Sequence, residues 1–244
     1  MHVQLNGKTV LITGAAKGIG KAIALEVAGA GANIALHYHQ SKEEAKRTAE
    51  EIRELGVDVQ LVSGDLGDYA NVDALYETTG PVDAIVNNAG WTQLKPFFSY
   101  ERGEWQKEID ICLQAVMNLA HRFVPDMMER GSGKFINLIG DSARTGDRYL
   151  SVSGAARSGA ASFVKSLAQE AGRSGVQCNT VSLGMIDQGE LDESLKTKLV
   201  KQYPLGTLGD RTDVANMTTF LLSEQTNWVT GQVIAVNGGY TMIG

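Results

Sequence analysis

Short apolar runs alternate with amphipathic stretches along most of the chain. The first apolar run, Thr9 to Thr13, precedes a glycine-rich segment and a helical pattern from about Ile19 to Gly29, and a second apolar run follows from Asn33 to Tyr38. Apolar runs of this length predict buried strands, and apolar positions three and four residues apart predict helices. This order is typical of a βαβ unit with parallel strands.

The alternation continues through the rest of the sequence. Five further strands are predicted at Asp58 to Ser63, Val82 to Asn87, Lys134 to Ile139, Val176 to Val181 and Val233 to Val236. The pattern predicts an α/β fold with seven strands in one parallel sheet. The chain of 244 residues has no internal repeat or proline-rich linker, so we expect one domain over residues 1–244.

Three helices carry more specific expectations. Ser41 and Glu44 have the spacing of a capping box and predict a helix from Lys42 to Leu55. Two predicted helices are longer than is needed to cover one face of the sheet; they run from about Glu104 to Arg130 and from about Tyr149 to Ser174. Their additional surface suits packing against another subunit.

Charge and composition exclude several classes of partner. The net charge is -6 and lysines and arginines do not cluster, so a nucleic-acid partner is not expected. No leader-like segment and no run of about 18 apolar residues occurs, so we expect a cytoplasmic protein without a membrane partner. Cys112 and Cys178 lie far apart in apolar surroundings, which indicates buried thiols and no metal site.

A glycine-rich segment, TGAAKGIG, runs from Thr13 to Gly20 between a predicted strand and helix. Its glycines permit a tight turn, and the helix start offers free amides and the positive end of a dipole to a pyrophosphate. Such a triplet alone is weak evidence, because a purely structural turn can have the same pattern.

Further motifs add a family resemblance. With Asp65, Asn87-Asn-Ala-Gly90 and Val236-Asn-Gly-Gly239, the glycine segment makes nearly the whole chain resemble the short-chain dehydrogenase/reductase family. The resemblance implies a Rossmann-type, doubly wound three-layer sandwich around the seven-stranded sheet, with a nicotinamide dinucleotide at the carboxyl edge of that sheet. It also implies a homo-oligomer, either a tetramer or a dimer. It implies cofactor contacts from Gly14, Ala16, Lys17, Gly18, Ile19, Gly20, Tyr38, His39, Ser41, Asp65, Leu66, Asn88, Ala89, Gly90, Arg157, Gly184 and Ile186.

The end of the second strand bears on the choice of cofactor. NAD-selective sites have an acidic residue there, which binds the ribose 2'-hydroxyl and repels a 2'-phosphate. This chain has Tyr38 instead, and the nearby donors and cations are Lys17, His37, His39, Ser41 and Lys42. The string LHYHQS resembles that of NADP-dependent pteridine reductases, so we expect NADP(H) rather than NAD(H). Alternatively the histidines merely alternate along a strand end and Lys42 is solvated, which leaves the preference open.

The resemblance also implies a catalytic tetrad of asparagine, serine, tyrosine and lysine, and this chain departs from all of it. The corresponding residues are Cys112, Gly140, Ser153 and Arg157. A serine hydroxyl has a pKa far above that of a phenol, so Ser153 cannot replace the tyrosine as general acid. Arg157 can still bond the nicotinamide ribose, but it keeps its proton.

Groups that could replace the missing tetrad lie on the loop after the fifth strand, which is expected to face the nicotinamide. The polar residues there are Asp141, Ser142, Arg144 and Tyr149. We take Ser142, Tyr149 and Arg157 as the candidate catalytic residues, although Asp141 and Ser142 suit a turn equally well and Tyr149 suits a packed or exposed position. Tyr149 can meet Arg157 only if the loop folds back.

Three functions remain open at this point. The first is an NADP(H)-dependent oxidoreductase that acts on a small molecule needing no tyrosine acid, such as an imine or a conjugated double bond. The second is an inactive pseudoenzyme that serves as a cofactor-binding partner or regulator, and the third is redox-neutral epimerisation. The segment from Gly184 to Gly209 resembles the family's substrate loop. Its acidic side chains disfavour an anionic substrate unless they face water, and they are Asp187, Glu190, Asp192 and Glu193.

Overall fold

The computed structural model describes residues 3–189 and 191–243, and its centre is one parallel sheet. The strands are β1 Thr9–Ile12, β2 Asn33–Tyr38, β3 Val59–Ser63, β4 Ala84–Asn87, β5 Gly133–Gly140, β6 Val176–Leu183 and β7 Val233–Val236. Their order is β3-β2-β1-β4-β5-β6-β7, and every adjacent pair is parallel. The predicted seven-stranded, doubly wound sheet is confirmed.

Helices connect the strands. They are α1 Gly18–Gly29, α2 Lys42–Glu54, α3 Tyr69–Thr79, α4 Gln106–Ile109, α5 Ala115–Glu129, α6 Ser142–Thr145, α7 Ser151–Ala171, α8 Glu193–Val200 and α9 Arg211–Leu222. Short 3₁₀ turns occupy Phe97–Ser99, Gly172–Ser174 and Glu224–Thr226. A π-helical turn, Asp110–Gln114, joins α4 to α5 within the predicted first long helix.

Alternate residues of each strand point to opposite faces, which produces two apolar layers. Val10 and Ile12 pack with buried residues of α1, α2 and α9. Leu11, between them, packs on the other face with α3, α5 and α7. The predicted three-layer sandwich is therefore confirmed.

Two local predictions about helix starts are wrong. Ser41 does not cap α2 through its side chain; its carbonyl oxygen accepts the ordinary helical bond from the Ala45 N–H at 3.0 Å. The second long helix begins at Ser151 and not at Tyr149, because Tyr149 has a φ of 69°, which a right-handed helix cannot contain.

The sheet order reverses between β1 and β4, and the loops after these two strands diverge to opposite faces. In doubly wound sheets, ligands bind outside the carboxyl ends of the strands at this switch point. Within residues 3–189 and 191–243, none of the helices combines the length and apolar character needed to cross a bilayer.

Candidate functional site

A cleft of about 560 Å³ opens at the carboxyl ends of β1 to β4, on the switch point. The predicted cofactor residues that line it are Gly14, Ala16, Lys17, Tyr38, His39, Ser41, Asp65, Leu66, Asn88, Ala89 and Gly90. The cleft is also lined by residues that the sequence did not single out for it, among them Gly64, Trp91, Lys107, Asp110 and Ile111. The structure thus brings most of the predicted residues to one place.

The glycine segment follows β1 and turns sharply into α1. Gly14 and Gly18 have φ values of +63° and +60°, which side chains beyond glycine rarely adopt. A Cβ at Gly20 would overlap the carbonyl oxygen of Gly14, so only glycine lets α1 pack this closely on the loop. No side chain caps the start of α1, where Lys17 is the extended preceding residue. The open amides there suit an anion.

Thr13 holds the loop that follows β4. Its hydroxyl donates to the Asn87 side-chain oxygen at 2.9 Å and accepts from the backbone N–H groups of Asn88 and Ala89 at 3.0 and 2.9 Å. The Asn88 side chain donates to the carbonyl oxygens of Thr13 and Gly14 at 3.0 and 3.2 Å. The Asn88 amide therefore fixes the two loops to each other.

His37 was grouped with donors for a 2'-phosphate, and the structure corrects this. It is buried, with Nδ1 accepting the Gly14 N–H at 3.3 Å and Nε2 facing the Gly64 carbonyl oxygen at 3.0 Å. Burial lowers its pKa to about 4, so the ring is neutral near pH 7. His37 braces the floor of the cleft and carries no charge to a ligand.

The end of the cleft beside β2 and β3 has a polar wall, without a carboxylate directly after β2. Lys17, Tyr38, His39 and Ser41 face the cleft there, whereas Lys42 does not line it. The Asp65 carboxylate lies after β3 and accepts the Gly67 N–H at 3.0 Å. This arrangement suits an anionic group near the end of β2.

An aromatic ring and a lysine side chain also line the cleft, where the loop after β4 meets α4. The Lys107 ammonium lies 4.3 Å from the centroid of the Trp91 ring, a cation–π arrangement, and both residues line the cleft. Sequence reasoning missed this pair because Trp91 lies in the loop after β4 and Lys107 lies in α4, with no shared spacing.

Arg157 lies near the opposite end of the cleft, beside Gly90. Its Nη1 donates to the Thr92 hydroxyl at 2.7 Å, and its Nη2 lies 3.0 Å from the position that a Cβ at Gly90 would occupy. Cys112 is buried nearby, and its thiol faces the Trp91 carbonyl oxygen at 3.3 Å. Burial raises the pKa of this thiol, against a smaller opposite effect of Arg157. Arg157 therefore lies beside Gly90, another predicted cofactor residue, and its contact with Thr92 was not foreseen.

Ser153 and Gly140 offer no proton at this end. Ser153 is completely buried in α7, and its hydroxyl donates to the Leu150 carbonyl oxygen at 3.4 Å. Gly140 ends β5 without a side chain. Ser142 begins α6, with its hydroxyl 3.4 Å from the position of a Gly140 Cβ, and lines a separate shallow cleft of about 320 Å³.

Tyr149 is held in a left-handed conformation between α6 and α7. Its carbonyl oxygen accepts the Lys95 N–H at 3.1 Å, and the Arg148 guanidinium carbon lies 4.8 Å from its ring centroid. The phenol is 40% exposed and does not line the main cleft, and Tyr149 shares no hydrogen bond with Arg157 in the described chain. The loop does not fold back as contact would require.

Asp141 and Arg144 were expected to face the nicotinamide, and this is wrong. The buried Asp141 carboxylate accepts from Ser182, from the Asn237 amide at 2.5 Å and from the Thr241 hydroxyl at 2.7 Å. Arg144 donates to the Ile243 carbonyl oxygen at 2.7 Å. Both residues hold the carboxyl-terminal segment, so neither is available to a substrate.

The segment after β6 contacts the glycine loop through an unpredicted residue. Gly184 and Ile186 do not line the cleft; Gly184 packs against Asn237, and Ile186 is buried and bridged to Gly209. The Gln188 side-chain oxygen lies 2.6 Å from the position of a Gly18 Cβ, and Arg211 donates to the Gln188 carbonyl oxygen. Gln188 thus crosses the start of α1.

The acidic residues of this segment are largely engaged elsewhere. Asp187 pairs with Lys196 at 2.6 Å, and Asp192 caps α8 by accepting the Leu195 N–H at 2.8 Å. Glu190 lies outside the described residues. The predicted repulsion of anionic substrates therefore has little support from Asp187 and Asp192.

Comparisons with known proteins cover nearly the whole chain, including the residues that line the cleft. The family model described as Enoyl-(Acyl carrier protein) reductase matches residues 14–241. The 3-oxoacyl-(acyl carrier protein) reductase FabG of Staphylococcus aureus is 36% identical over 242 residues, covering 96% of this chain and 98% of that protein. An uncharacterized oxidoreductase, YmfI, of Bacillus subtilis is 31% identical over 238 residues, covering 96% and 98%. A crystal structure from Agrobacterium tumefaciens, provisionally assigned as a gluconate dehydrogenase, is similar at a TM-score of 0.93 and 26% identity, covering 100% of both chains.

Proposed function

Since the chain belongs to the short-chain dehydrogenase/reductase family of oxidoreductases, we propose that it binds NADP(H) and reduces a small molecule that needs no tyrosine acid. The observation that carries the proposal is a cleft at the switch point that is lined by most of the expected cofactor residues, with Arg157 at its far end beside Gly90 and Thr92. The bound group would supply the hydride.

The chain's own residues divide the work of binding. The open amides at the start of α1 take the pyrophosphate, with Lys17 beside them. The segment from Asn88 to Gly90 supports the two riboses, and Arg157 bonds the nicotinamide ribose through its forked donors. Trp91 and Lys107 close the wall on the other side.

The preference for NADP(H) rests on the residues after β2. Tyr38, His39 and Ser41 provide donors for a 2'-phosphate, and no carboxylate stands among them to repel it. Tyr38→Asp is expected to weaken NADPH binding by about 10- to 100-fold and to leave NADH binding almost unchanged, because like charges would then meet. Calorimetric titration of both nucleotides measures this.

Tyr38→Asn is the matched control, because asparagine has the size of aspartate and adds no charge. A wild-type protein that binds NADH as tightly as NADPH, or a Tyr38→Asp variant that weakens both equally, contradicts the assigned preference.

The absence of the family's tyrosine acid limits the kinds of substrate that can accept the hydride. Reduction of a carbonyl needs a proton at the developing alkoxide, and Ser153 is buried with its hydroxyl directed to the backbone. An imine that is already protonated needs no such donor. A conjugated double bond leaves an enolate, which the Arg157 guanidinium can stabilise while solvent supplies the proton. The enoyl reductase activity in the description of the matching family supports a test of the conjugated double bond, and the imine follows from the missing acid alone.

A specific observation favours a second function. Ser153 is buried and Tyr149 lies outside the cleft, so neither replaces the family tyrosine. A protein that binds NADP(H) without turnover would act as a partner subunit or regulator. Oxidation of NADPH by enoyl thioesters or cyclic imines, lost in Arg157→Met, supports the oxidoreductase; binding without any oxidation supports the pseudoenzyme.

We also propose a cytoplasmic homo-oligomer. Trp228 and Phe98 are 100% and 98% exposed, and large apolar groups so exposed often mark protein contacts. Light scattering on a sizing column measures the mass: a dimer or tetramer supports the proposal, and a monomer at micromolar concentration contradicts it.

A further inference from the structure

A second cavity lies at the opposite edge of the sheet from the dinucleotide cleft. It has a volume of about 250 Å³ and is formed where β1, β4, β5 and β6 begin. Its lining includes Lys8, Asp83, Ser132, Lys134, Glu224 and Asn227. The cavity shares no lining residue with the cleft.

Lys134 is the unusual member of this lining. It is only 8% exposed, and its ammonium donates to the Thr226 hydroxyl and the Asn227 side-chain oxygen, each at 3.1 Å. An ammonium has three N–H donors, and within residues 3–189 and 191–243 the third has no acceptor. No described carboxylate lies within ion-pair distance of it. A buried cation with only neutral partners is costly to the fold.

The other charges around the cavity do not balance Lys134. Asp83 accepts the Thr9 N–H at 2.8 Å and lies 3.9 Å from the Lys8 ammonium, so both of its oxygens are engaged. Glu224 influences Lys134 only through space and raises its pKa slightly, while burial, the larger effect, lowers the pKa to about 8. Near neutral pH Lys134 is therefore still mostly charged.

From this geometry we infer that the cavity binds a small oxyanion, a carboxylate or a phosphate, which pairs with the third N–H of Lys134. The volume is well above that of a water molecule and below the range typical of drug-sized ligands, so a small anion fits. Asn227 and Ser132 offer additional polar groups to it. Glu224 on the rim opposes the anion, which limits its affinity.

The direct test is the titration of Lys134 by NMR in the full chain, with lysines carrying ¹³C at the ε carbon. The Lys134 signal is assigned as the one missing in Lys134→Met or, should that variant not fold, in Lys134→Arg. In sodium chloride we expect a midpoint near pH 8. In phosphate or acetate at equal ionic strength, we expect the midpoint to rise by about one unit, because the anion binds only the charged form. The two salts distinguish the phosphate source from the carboxylate source.

Two variants test whether negative charge at the rim of the cavity opposes anion binding. Glu224→Gln removes the opposing charge, so it is expected to strengthen phosphate binding several-fold. Lys46→Gln, on the exposed face of α2, is the matched control and leaves the binding unchanged. Phosphate bound in the dinucleotide cleft does not move the Lys134 signal, so this test is independent of the proposed function. A Lys134 midpoint that is equal in chloride, phosphate and acetate overturns the inference.

Discussion

The two ends of the main cleft are built from different kinds of residue. At the glycine-loop end, backbone groups and small residues do the work: Gly20 permits the close approach of α1, and Thr13 and Asn88 tie the loops together. At the far end, chemistry depends on individual side chains, and Ser153 is buried while Tyr149 lies outside the cleft.

This difference explains how one fold can keep its ligand-binding site and lose a proton-transfer group. A dinucleotide site made of turns and amides tolerates many substitutions, provided that the glycines stay. Proton transfer needs one group with a suitable pKa within hydrogen-bond reach of the substrate, so a single replacement removes it. Ligand binding and chemistry should therefore separate when they are measured on this protein.

The largest expected effect comes from filling the space at Gly20. In Gly20→Ala, the new Cβ would overlap the Gly14 carbonyl oxygen and lie 2.6 Å from the Asn88 side-chain nitrogen. The strain should displace the loop and weaken NADPH binding by about 100-fold, the equivalent of about 3 kcal/mol. Calorimetric titration measures this, and Gly29→Ala is the control, since nothing lies within 4 Å of its added Cβ. Equal affinity in Gly20→Ala and wild type would refute the role of close packing.

The next effect is a pH dependence from His37. Its pKa is lowered from 6.5 to about 4 in the fold, so the unfolded chain binds the proton more readily. The contribution to stability is fully present above pH 6.5 and is lost as pH falls towards 4. It amounts to about 3 kcal/mol.

Urea unfolding at pH 7, 5 and 4 measures this loss. His37→Gln can still accept the Gly14 N–H but does not titrate, so its stability should fall by about 3 kcal/mol less than that of the wild type over the same range. Parallel losses in the two proteins would show that His37 is not the titrating group.

A smaller effect is expected at Tyr149. Its φ of 69° costs free energy that glycine avoids, so Tyr149→Gly should stabilise the fold by about 0.5–1 kcal/mol after the entropy of the unfolded chain is considered. Tyr149→Ala keeps the strain and should show no gain. Thermal unfolding compares the variants. Loss of NADPH oxidation in Tyr149→Phe would contradict the position given to this phenol.

The smallest effect is expected at Ser153. Its hydroxyl makes a single long bond to the Leu150 carbonyl oxygen, which also accepts the Gly154 N–H at 2.7 Å. Ser153→Ala should change the free energy of unfolding by less than about 0.5 kcal/mol and any rate of NADPH oxidation not at all. A drop in that rate of tenfold or more would mean that the serine takes part in chemistry.

Local patterns predicted the elements and the sheet well. β2 and β7 have the predicted bounds, because their apolar runs end sharply at polar or glycine residues. The glycine segment was also foreseen as part of the cleft, since its conformation is set within a few residues.

The errors concern side chains whose direction depends on distant partners. Asp141 turns to Ser182 and Asn237, which are 41 and 96 residues away. His37 turns inward because Gly14 and Gly64 present a donor and an acceptor on either side of it. Thr92 and Trp91 acquire their partners only when α4 and α7 pack against the loop after β4. None of these contacts has a spacing that the sequence reveals.

We expect this protein to bind NADP(H) and to lack the family's standard carbonyl reduction. The most direct measurement mixes wild-type protein with one equivalent of NADPH and a 3-oxoacyl thioester and follows, in the same sample, the fluorescence of bound NADPH and its oxidation. We predict saturable binding in the micromolar range and no oxidation. Oxidation of NADPH by the carbonyl substrate, or the absence of NADPH binding, would contradict the account.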